Sequence, residues 1–270
     1  MPWAMNPIFS PKKSSDNAVV DVEAIQGDDS SGDGNGSQRG SGDGSPEPKD
    51  SHGWKFRPPS DRLSLHQIFY IFVINGIGAA IVSGGINFAI AYALYSGKGT
   101  VESPIRLFQF PNTLAGDTAV TIFVQFGVTW LIQSLLVNFD LRRGGVQPIG
   151  FLTQPKSRFL RWYMFLDQEE QTFEVRSLRH WLNFLVSQVV RSLIVAAIFF
   201  PEIFGVTIGF LTLVGEYDGG DWWYPALWTP ELFKLVQGAS LGLVFTPPMV
   251  IFWLARCGWA LRDIERRSNI

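Results

Sequence analysis

The side chains that could carry out chemistry are few and far apart in this sequence. It contains three histidines and one cysteine, Cys257, and no histidine lies at metal-ligand spacing from another histidine or from that cysteine. It also lacks a nucleophile elbow and a phosphate-binding loop. The sequence therefore predicts neither an enzyme nor a metal or cofactor site.

A row of polar residues is the clearest remaining pattern. Within an apolar stretch, a polar side chain recurs at every fourth position: Asp117, Thr121, Gln125, Thr129 and Gln133. Because each step of four turns the row by about 40° on a straight helix, the row winds around the helix and cannot line one straight pore. Two interpretations stay open, namely hydrogen bonds between helices and a hydrated pathway.

Polar and charged residues also interrupt two other apolar stretches. Asn87 lies in the first stretch, and Gln188, Arg191 and Glu202 lie in the third. Charges inside a membrane are costly and usually face the interior of a bundle, so we expect these residues and the polar row to form an intramembrane network. Alternatively, Arg191 extends to the cytoplasmic interface from a helix that protrudes there.

Long apolar helices must position these residues. Hydrophobic residues make up 46% of the chain and charged residues 17%, and four stretches reach the length of about 20 apolar residues that crosses a membrane. They cover residues 68–95, 118–138, 181–214 and 235–255. The sequence predicts an all-α fold, a polytopic four-helix transmembrane bundle over residues 61–270. The third stretch is about 51 Å long at 1.5 Å per residue, so it either protrudes or kinks at Pro201.

Residues 1–60 differ from the rest of the chain. They are acidic and rich in glycine and serine, with almost nothing to bury. Such a segment cannot offset the entropy cost of ordering, so it predicts a disordered tail. The net charge of −2 gives no reason to expect nucleic acid as a partner.

The distribution of Lys and Arg predicts the orientation. Fourteen Lys and Arg residues lie just before the first stretch, between the second and third stretches, or after the fourth stretch. Two lie between the first and second stretches. Residues 216–230 contain none. The tail, the long connection and the C-terminus should therefore face the cytoplasm. Within that connection SRFLRWYMFL, residues 157–166, predicts a short helix that lies against anionic lipid or packs on the bundle.

Small residues at helical spacing predict close packing, either within the bundle or in a homodimer. They are Gly76, Ala80, Gly84, Gly205, Gly209, Gly238 and Gly242. Pro201 predicts a kink, and Pro247 and Pro248 predict a broken helix. Cys257 lies near the cytoplasmic end of the last helix, where S-acylation occurs, although a buried thiol is the commoner case.

Three stretches carry a resemblance to a known family. They are GGINFAIAYALY at 84–95, IRLFQFPNTLAGDTAV at 105–120 and NFDLRRGGVQPIGF at 138–151. They resemble a family of uncharacterised fungal multi-pass membrane proteins, most clearly over residues 65–151. The resemblance implies residence in a membrane and a fungal source, and it implies no activity.

Two classes of function follow. The favoured one is a structural or assembly bundle in the lipid bilayer of an internal membrane, such as the endoplasmic reticulum, that binds a protein partner or a second copy. The other is a small-solute or ion transport protein that uses the polar row with Arg191 and Glu202. Transport requires Gln125, Gln133, Arg191 and Glu202 to converge on one cavity. Side chains tied to backbone carbonyls or to the interface favour assembly instead.

The predicted orientation can be tested with engineered glycosylation acceptor sites. An acceptor placed within residues 219–224 should be modified, because those residues should lie outside the cytoplasm. An acceptor near Gly144 should stay unmodified, because it should face the cytoplasm. The opposite pattern of gel shifts would contradict the orientation.

Overall fold

The computed structural model describes residues 57–96, 104–164, 166, 178–224 and 228–268. In this part of the chain four helices are long and apolar enough to cross a membrane, which confirms the predicted number. The elements are α1 Leu65–Tyr95, α2 Leu114–Arg142, α3 Arg158–Tyr163, α4 Leu178–Val214, β1 Glu216–Asp218, β2 Asp221–Trp223 and α5 Thr229–Ser268. Most of the predicted disordered tail, residues 1–56, lies outside the described residues.

Side-chain caps fix where the first two long helices begin. Ser64 and Gln67 form a capping box at the start of α1, in which each side chain accepts a hydrogen bond from the other residue's backbone N–H. The Gln67 amide also donates to the carbonyl of Gln147, at 2.8 Å. Thr113 accepts a bond from the N–H of Gly116 at the start of α2. The capping of α1 therefore also ties it to the loop that follows α2.

The first long helix changes its hydrogen-bonding pattern along its length. It starts as an α-helical turn, continues as a π-helix over Phe69–Ile77 and ends as an α-helix over Gly78–Tyr95. Asn75 donates a side-chain bond of 2.9 Å to the carbonyl of Tyr70, and the Tyr70 hydroxyl donates to Asp140 at 2.7 Å. A π-helix longer than a single turn is uncommon. Side-chain hydrogen bonds at the buried face support this one.

The first and last long helices pack with their backbones almost in contact. A Cβ atom added at Gly242 of α5 would lie 2.7 Å from the carbonyl oxygen of Ala79 in α1. One added at Gly84 of α1 would lie 3.1 Å from the carbonyl oxygen of Leu235 and 3.1 Å from the Cβ of Ala239. Gly238 likewise leaves room for Asn87. Small residues are therefore needed on both helices along this contact.

Aromatic rings fill the space between α2, α4 and α5. Phe126 of α2 lies 4.8 Å from Phe245 of α5 between ring centroids, and Phe123 lies 5.1 Å from Phe200 of α4. Trp130 packs on Phe252 at 5.1 Å. Such offset and tilted pairs add about 0.5–1.5 kcal/mol each beyond the apolar area that they bury. The Phe123–Phe200 pair attaches α4 to α2, and the other two pairs join α2 to α5.

A loop and the β1–β2 hairpin close one end of the bundle. Asp221 is 2% exposed, and one of its carboxylate oxygens accepts bonds of 2.9 Å from the N–H groups of Phe108 and Gln109. The N–H of Leu107 donates to the carbonyl of Trp222, at 2.9 Å. The connection from α1 to α2 and the connection from α4 to α5 are thereby joined.

The opposite end is closed by the loop that follows α2. The N–H of Ile149 donates to the carbonyl of Leu254 in α5, at 3.1 Å. The backbone of Ile149 lies directly over Gly258, where a side chain would collide with it. The N–H of Ser60 donates to the carbonyl of Pro148, at 2.9 Å. Three segments that are distant in sequence therefore meet at the C-terminal half of α5.

The short helix α3 combines features of both predicted arrangements. Its Tyr163 is 9% exposed and packs on the rings of Trp130 and Phe252. Phe159, whose ring stacks on Tyr163, and Trp162 are 54% and 46% exposed. The helix therefore packs on the bundle through Tyr163 and leaves two other aromatic rings partly on the surface.

The small residues of α4 do not pack within the described chain. Added Cβ atoms at Gly205 and Gly209 would have no neighbour within 4 Å, so their packing in a homodimer stays a prediction. The predicted break in α5 is wrong, since the helix continues as an α-helix through Pro247 and Pro248. A proline removes one backbone donor, and the ring of Pro247 faces Gly76 of α1, where an added Cβ atom would lie 3.3 Å from it. The helix α4 likewise continues through Pro201.

The close approach of α1 and α5 predicts opposite effects for two alanine substitutions. Gly242→Ala should lower the free energy of unfolding by about 1–3 kcal/mol, because its Cβ would overlap the backbone of α1. Gly85→Ala is the matched control, since nothing lies within 4 Å of an added Cβ there. That change should be neutral or stabilising by up to about 1 kcal/mol. Thermal unfolding of both variants in the same detergent checks this, and equal stabilities would contradict it.

Candidate functional site

Several of the polar residues between the helices form three separate groups at three levels of the bundle. We call them the lysine cluster (Tyr95, Asp117, Thr121 and Lys234), the amide cluster (Asn87, Gln125 and the carbonyl of Gly238) and the arginine cluster (Trp162, Tyr163, Ser187 and Arg191). Each cluster joins elements that are far apart in the sequence.

The lysine cluster lies near the hairpin end and contains a buried ion pair. The ammonium of Lys234 is 1% exposed and lies 3.1 Å from a carboxylate oxygen of Asp117, which is 20% exposed. It also donates to the hydroxyl of Thr121, and the hydroxyl of Tyr95 donates to Asp117 at 2.8 Å. A buried charge is tolerated when a partner and hydrogen bonds satisfy it. The cluster therefore couples α1, α2 and α5.

The amide cluster lies about one turn of α2 beyond Thr121, deeper in the bundle. Asn87 donates to the side-chain oxygen of Gln125 at 2.9 Å and to the carbonyl of Ser83 at 2.8 Å. Gln125 in turn donates to the carbonyl of Gly238, at 3.1 Å. The glycine that lets α1 and α5 approach thus also exposes the carbonyl that Gln125 binds.

The arginine cluster lies at the opposite end. Arg191 is 2% exposed, and its guanidinium donates to the carbonyls of Tyr163 and Trp162 at 3.1 Å each and to Ser187 of its own helix. The guanidinium carbon also lies 4.7 Å from the centroid of the Trp162 ring, within range of a cation–π contact. Arg191 thereby holds the C-terminus of α3 against α4.

Next to this cluster, Gln188 accepts a bond of 2.8 Å from the indole N–H of Trp130. Burial raises the pKa of the nearby Tyr163 hydroxyl, so this phenol stays protonated.

The remaining predicted residues lie outside these clusters. Thr129 is half-buried, and Gln133 is 4% exposed. The Oε1 of Gln133 accepts no hydrogen bond among the described residues. Glu202 is exposed on the outer surface of α4. In the described part of the chain the residues predicted to form an intramembrane network separate into three clusters, half-buried or unpaired side chains, and one exposed carboxyl.

The positions of Arg191 and Glu202 have a simple physical cause. Eleven residues turn a helix by about 1100°, so the two lie on nearly the same side of α4. At the level of Arg191 that side is covered by α3. At the level of Glu202 it is exposed. Helical spacing gives the direction of a side chain and cannot say which element covers it.

The thiol of Cys257 is buried, with the residue 1% exposed. It lies in the hydrophobic core with Trp253, Leu254 and Trp259. An acyl chain could reach the thiol only if this end of the bundle opened, so the arrangement matches the buried thiol that is the commoner case.

Sequence reasoning missed two buried charged residues, Glu231 and Lys234. Both lie before the predicted last stretch, residues 235–255, whereas α5 begins at Thr229. The pair Thr229-Pro230 followed by Glu231 is a typical helix start, with proline and an acid in the first turn. Extending the helix to that signal would have placed Glu231 and Lys234 on one face inside the bundle.

In the described part of the chain no three His, Cys, Asp or Glu side chains lie close enough together to hold a metal ion. The charged groups of the clusters instead bind each other and backbone carbonyls. These contacts hold helices together.

Comparison with known proteins places the chain in a family. A family model described as "Protein of unknown function (DUF2456)" matches residues 160–254, which run from α3 into α5. The Saccharomyces cerevisiae protein "Uncharacterized protein YHL026C" is 30% identical over 248 residues, covering 70% of this chain and 78% of the relative. The chain belongs to this family. The predicted resemblance to uncharacterised fungal proteins is thereby confirmed.

A second relative is longer than this chain. The Schizosaccharomyces pombe protein "Uncharacterized protein C594.02c" is 35% identical over 211 residues, which are 77% of this chain and 42% of the relative. The chain thus spans less than half the length of that relative. No solved structure matches the chain.

The ion pair in the lysine cluster predicts a large effect of one substitution. Lys234→Met should lower the free energy of unfolding by about 3–5 kcal/mol, because it leaves the Asp117 carboxylate without its buried partner. Adding Asp117→Asn should recover most of that loss. The control is Arg266→Ala, since Arg266 lies 3.9 Å from Asp263 with its side chain 78% exposed. Unfolding in a common detergent compares the variants, and a fully stable Lys234→Met protein would contradict the role of the pair.

Proposed function

We propose that the chain is an integral membrane protein whose four long helices cross the bilayer. Their outward faces support this, because large apolar side chains are exposed on several helices, with Ile81 at 71%, Val120 at 62% and Val206 at 71%. Soluble proteins rarely leave such helix faces open to water. Lipid tails accommodate such helix faces, since the tails are as apolar as the side chains.

The positions of the charged segments support an orientation with both ends in the cytoplasm, because the basic segments lie at the same end of the bundle. The loop before α3 joins the C-terminal part of α5, because Gln154 donates to Asp263 at 2.9 Å. Arg158 and Arg161 of α3 are therefore near the same end as Arg262 of α5. The hairpin at the other end carries Glu216 and Asp218, two of the acids in the stretch without lysine or arginine.

We infer that the function is assembly, through contact of α4 with a second copy of the chain. The observation that carries this is the exposed carboxyl of Glu202. It lies 12 residues before the end of α4 at Val214, about 18 Å along the helix and so near the middle of a core about 30 Å thick. A charge at that depth costs at least about 2.5–3.5 kcal/mol on the insertion scale. A partner that satisfies this group would remove that cost.

The surroundings of Glu202 suit a helix partner. Gly205 and Gly209 lie on the same side of α4 and have open space above them. Only 6% of the most apolar part of α4 is buried in the bundle, against 56% for α5. Small residues let a second helix backbone come close enough for hydrogen bonds between side chains.

A second copy fits this face because the face is self-complementary. Two carboxyl groups that share a proton form a hydrogen bond, so Glu202 can pair with its own counterpart across a twofold axis. The glycines of the two copies would then face each other. Gln125 and Arg191 are bound to backbone carbonyls of their own bundle, which supports assembly over a shared transport pathway.

Cysteine crosslinking in membranes tests this contact. With Cys257, the only cysteine, replaced by serine, Gly209→Cys should form a disulfide-linked dimer on oxidation, because facing helices bring Cα atoms within about 7 Å. The matched control is Val128→Cys on the exposed face of α2, which should stay monomeric. Adding Glu202→Leu should reduce the dimer, whereas Glu202→Gln should retain it, since an amide also donates and accepts.

Equal crosslinking at both positions would contradict the α4 contact. A crosslink from Gly209→Cys to a different protein would show that the face binds another partner and not a second copy.

A further inference from the structure

The short helix α3 is held at the depth where the hydrocarbon core meets the lipid headgroups. Arg191 donates to the carbonyls of Trp162 and Tyr163 in α3 and lies 23 residues before the end of α4 at Val214. That separation is about 34 Å along the helix, slightly more than the thickness of a hydrocarbon core of about 30 Å. In the proposed membrane arrangement, on which this inference rests, α3 therefore lies in the interface.

The side chains of α3 divide into an apolar side and a basic side. At about 100° per residue, its apolar side chains fall within an arc of about 160°. Arg158 and Arg161 lie about 60° apart on the opposite side of the helix. A helix with this division lies in the plane of the membrane interface, with its apolar side toward the hydrocarbon. The apolar side chains are Phe159, Leu160, Trp162 and Tyr163.

The bundle covers only part of the apolar side of α3. Tyr163 packs on the ring of Phe252 and is 9% exposed. In contrast, Phe159, Leu160 and Trp162 are 54%, 42% and 46% exposed. Tryptophan rings are enriched at the level of the headgroups. The exposed side chains therefore form a surface against which acyl chains can lie.

The charge of the segment around α3 is positive. Residues 151–164 contain three basic residues and no acid. Arg158 is exposed, and Arg161 is half-buried. Asp263 of α5 hydrogen-bonds to this segment and lies 3.9 Å from Arg266, which offsets its charge. The segment therefore complements a negatively charged headgroup. Its basic residues are Lys156, Arg158 and Arg161.

We propose that α3 binds an anionic phospholipid, with the guanidinium groups of Arg158 and Arg161 on the headgroup and the acyl chains against Phe159, Leu160 and Trp162. Residues three apart on a helix have Cβ atoms about 5–6 Å apart, so both guanidinium groups can reach one phosphate. A zwitterionic phospholipid offers the same phosphate without a net charge. The site should therefore prefer the anionic lipid, by about fivefold for each arginine near the surface.

Quenching by spin-labelled lipids in vesicles that contain the full chain tests this site. With Cys257 replaced by serine, a fluorophore is attached through Ser157→Cys, next to α3. Phosphatidylserine with a nitroxide near the top of its acyl chain should bind there with at least about fivefold higher relative affinity than phosphatidylcholine labelled in the same way. The matched position is Leu135→Cys on the outer face of α2, which is 50% exposed and should show no such preference.

Substitutions of the two arginines identify the source of the preference. Arg158→Gln with Arg161→Gln should bring the relative affinity at residue 157 close to one, whereas Arg158→Lys with Arg161→Lys should retain most of the preference, because the charges remain. Arg158→Gln alone covers the case in which the glutamine pair fails to fold, and it should at least halve the preference. The control is Arg62→Gln with Arg266→Gln, which removes the same charge from exposed positions outside α3 and should leave the preference unchanged.

Three results would overturn the proposal while leaving the membrane arrangement intact. They are equal affinity of the two lipids at residue 157, an equal loss of preference in the control pair, and quenching at residue 135 without quenching at residue 157. The last result would show that a protein covers α3. Absence of quenching at both positions would contradict the membrane arrangement itself and this inference with it. None of these outcomes depends on whether α4 contacts a second copy.

Discussion

The close contact between α1 and α5 is the constraint on which the rest of the bundle depends. At Gly84, Gly238 and Gly242 an added Cβ atom would lie 3.1 Å or less from a backbone oxygen of the other helix. That approach brings Asn87 to Gln125 and exposes the Gly238 carbonyl to the same amide. Without small residues there, the two helices would separate and the amide cluster would lose its geometry.

The three polar clusters stabilise contacts between helices at different levels of the bundle. The lysine cluster joins α1, α2 and α5, the amide cluster joins the same helices deeper in the bundle, and the arginine cluster fastens α3 to α4. In a bilayer the burial of apolar groups does not bring helices together, so hydrogen bonds and packing must do so. These clusters supply the hydrogen bonds, and the aromatic rings between α2, α4 and α5 supply the packing.

Periodicity and composition were enough to predict the helices, and they were insufficient to predict which polar residues meet. Four apolar stretches are a local property, so the four long helices could be found from the sequence. The partners of Arg191 are carbonyls of α3, and a backbone carbonyl has no sequence signal. Glu231 and Lys234 were missed because apolar windows end at charged residues, even where the helix and the bundle interior continue past them.

The contact between the first and last long helices also bears on how the chain is made. In the proposed membrane arrangement, α1 and α2 leave the ribosome well before α5 exists. Until α5 arrives, Asp117 lacks Lys234 and Gln125 lacks the Gly238 carbonyl. In that arrangement the first helices enter the bilayer with polar groups unsatisfied, and they carry this free-energy cost until the last helix docks.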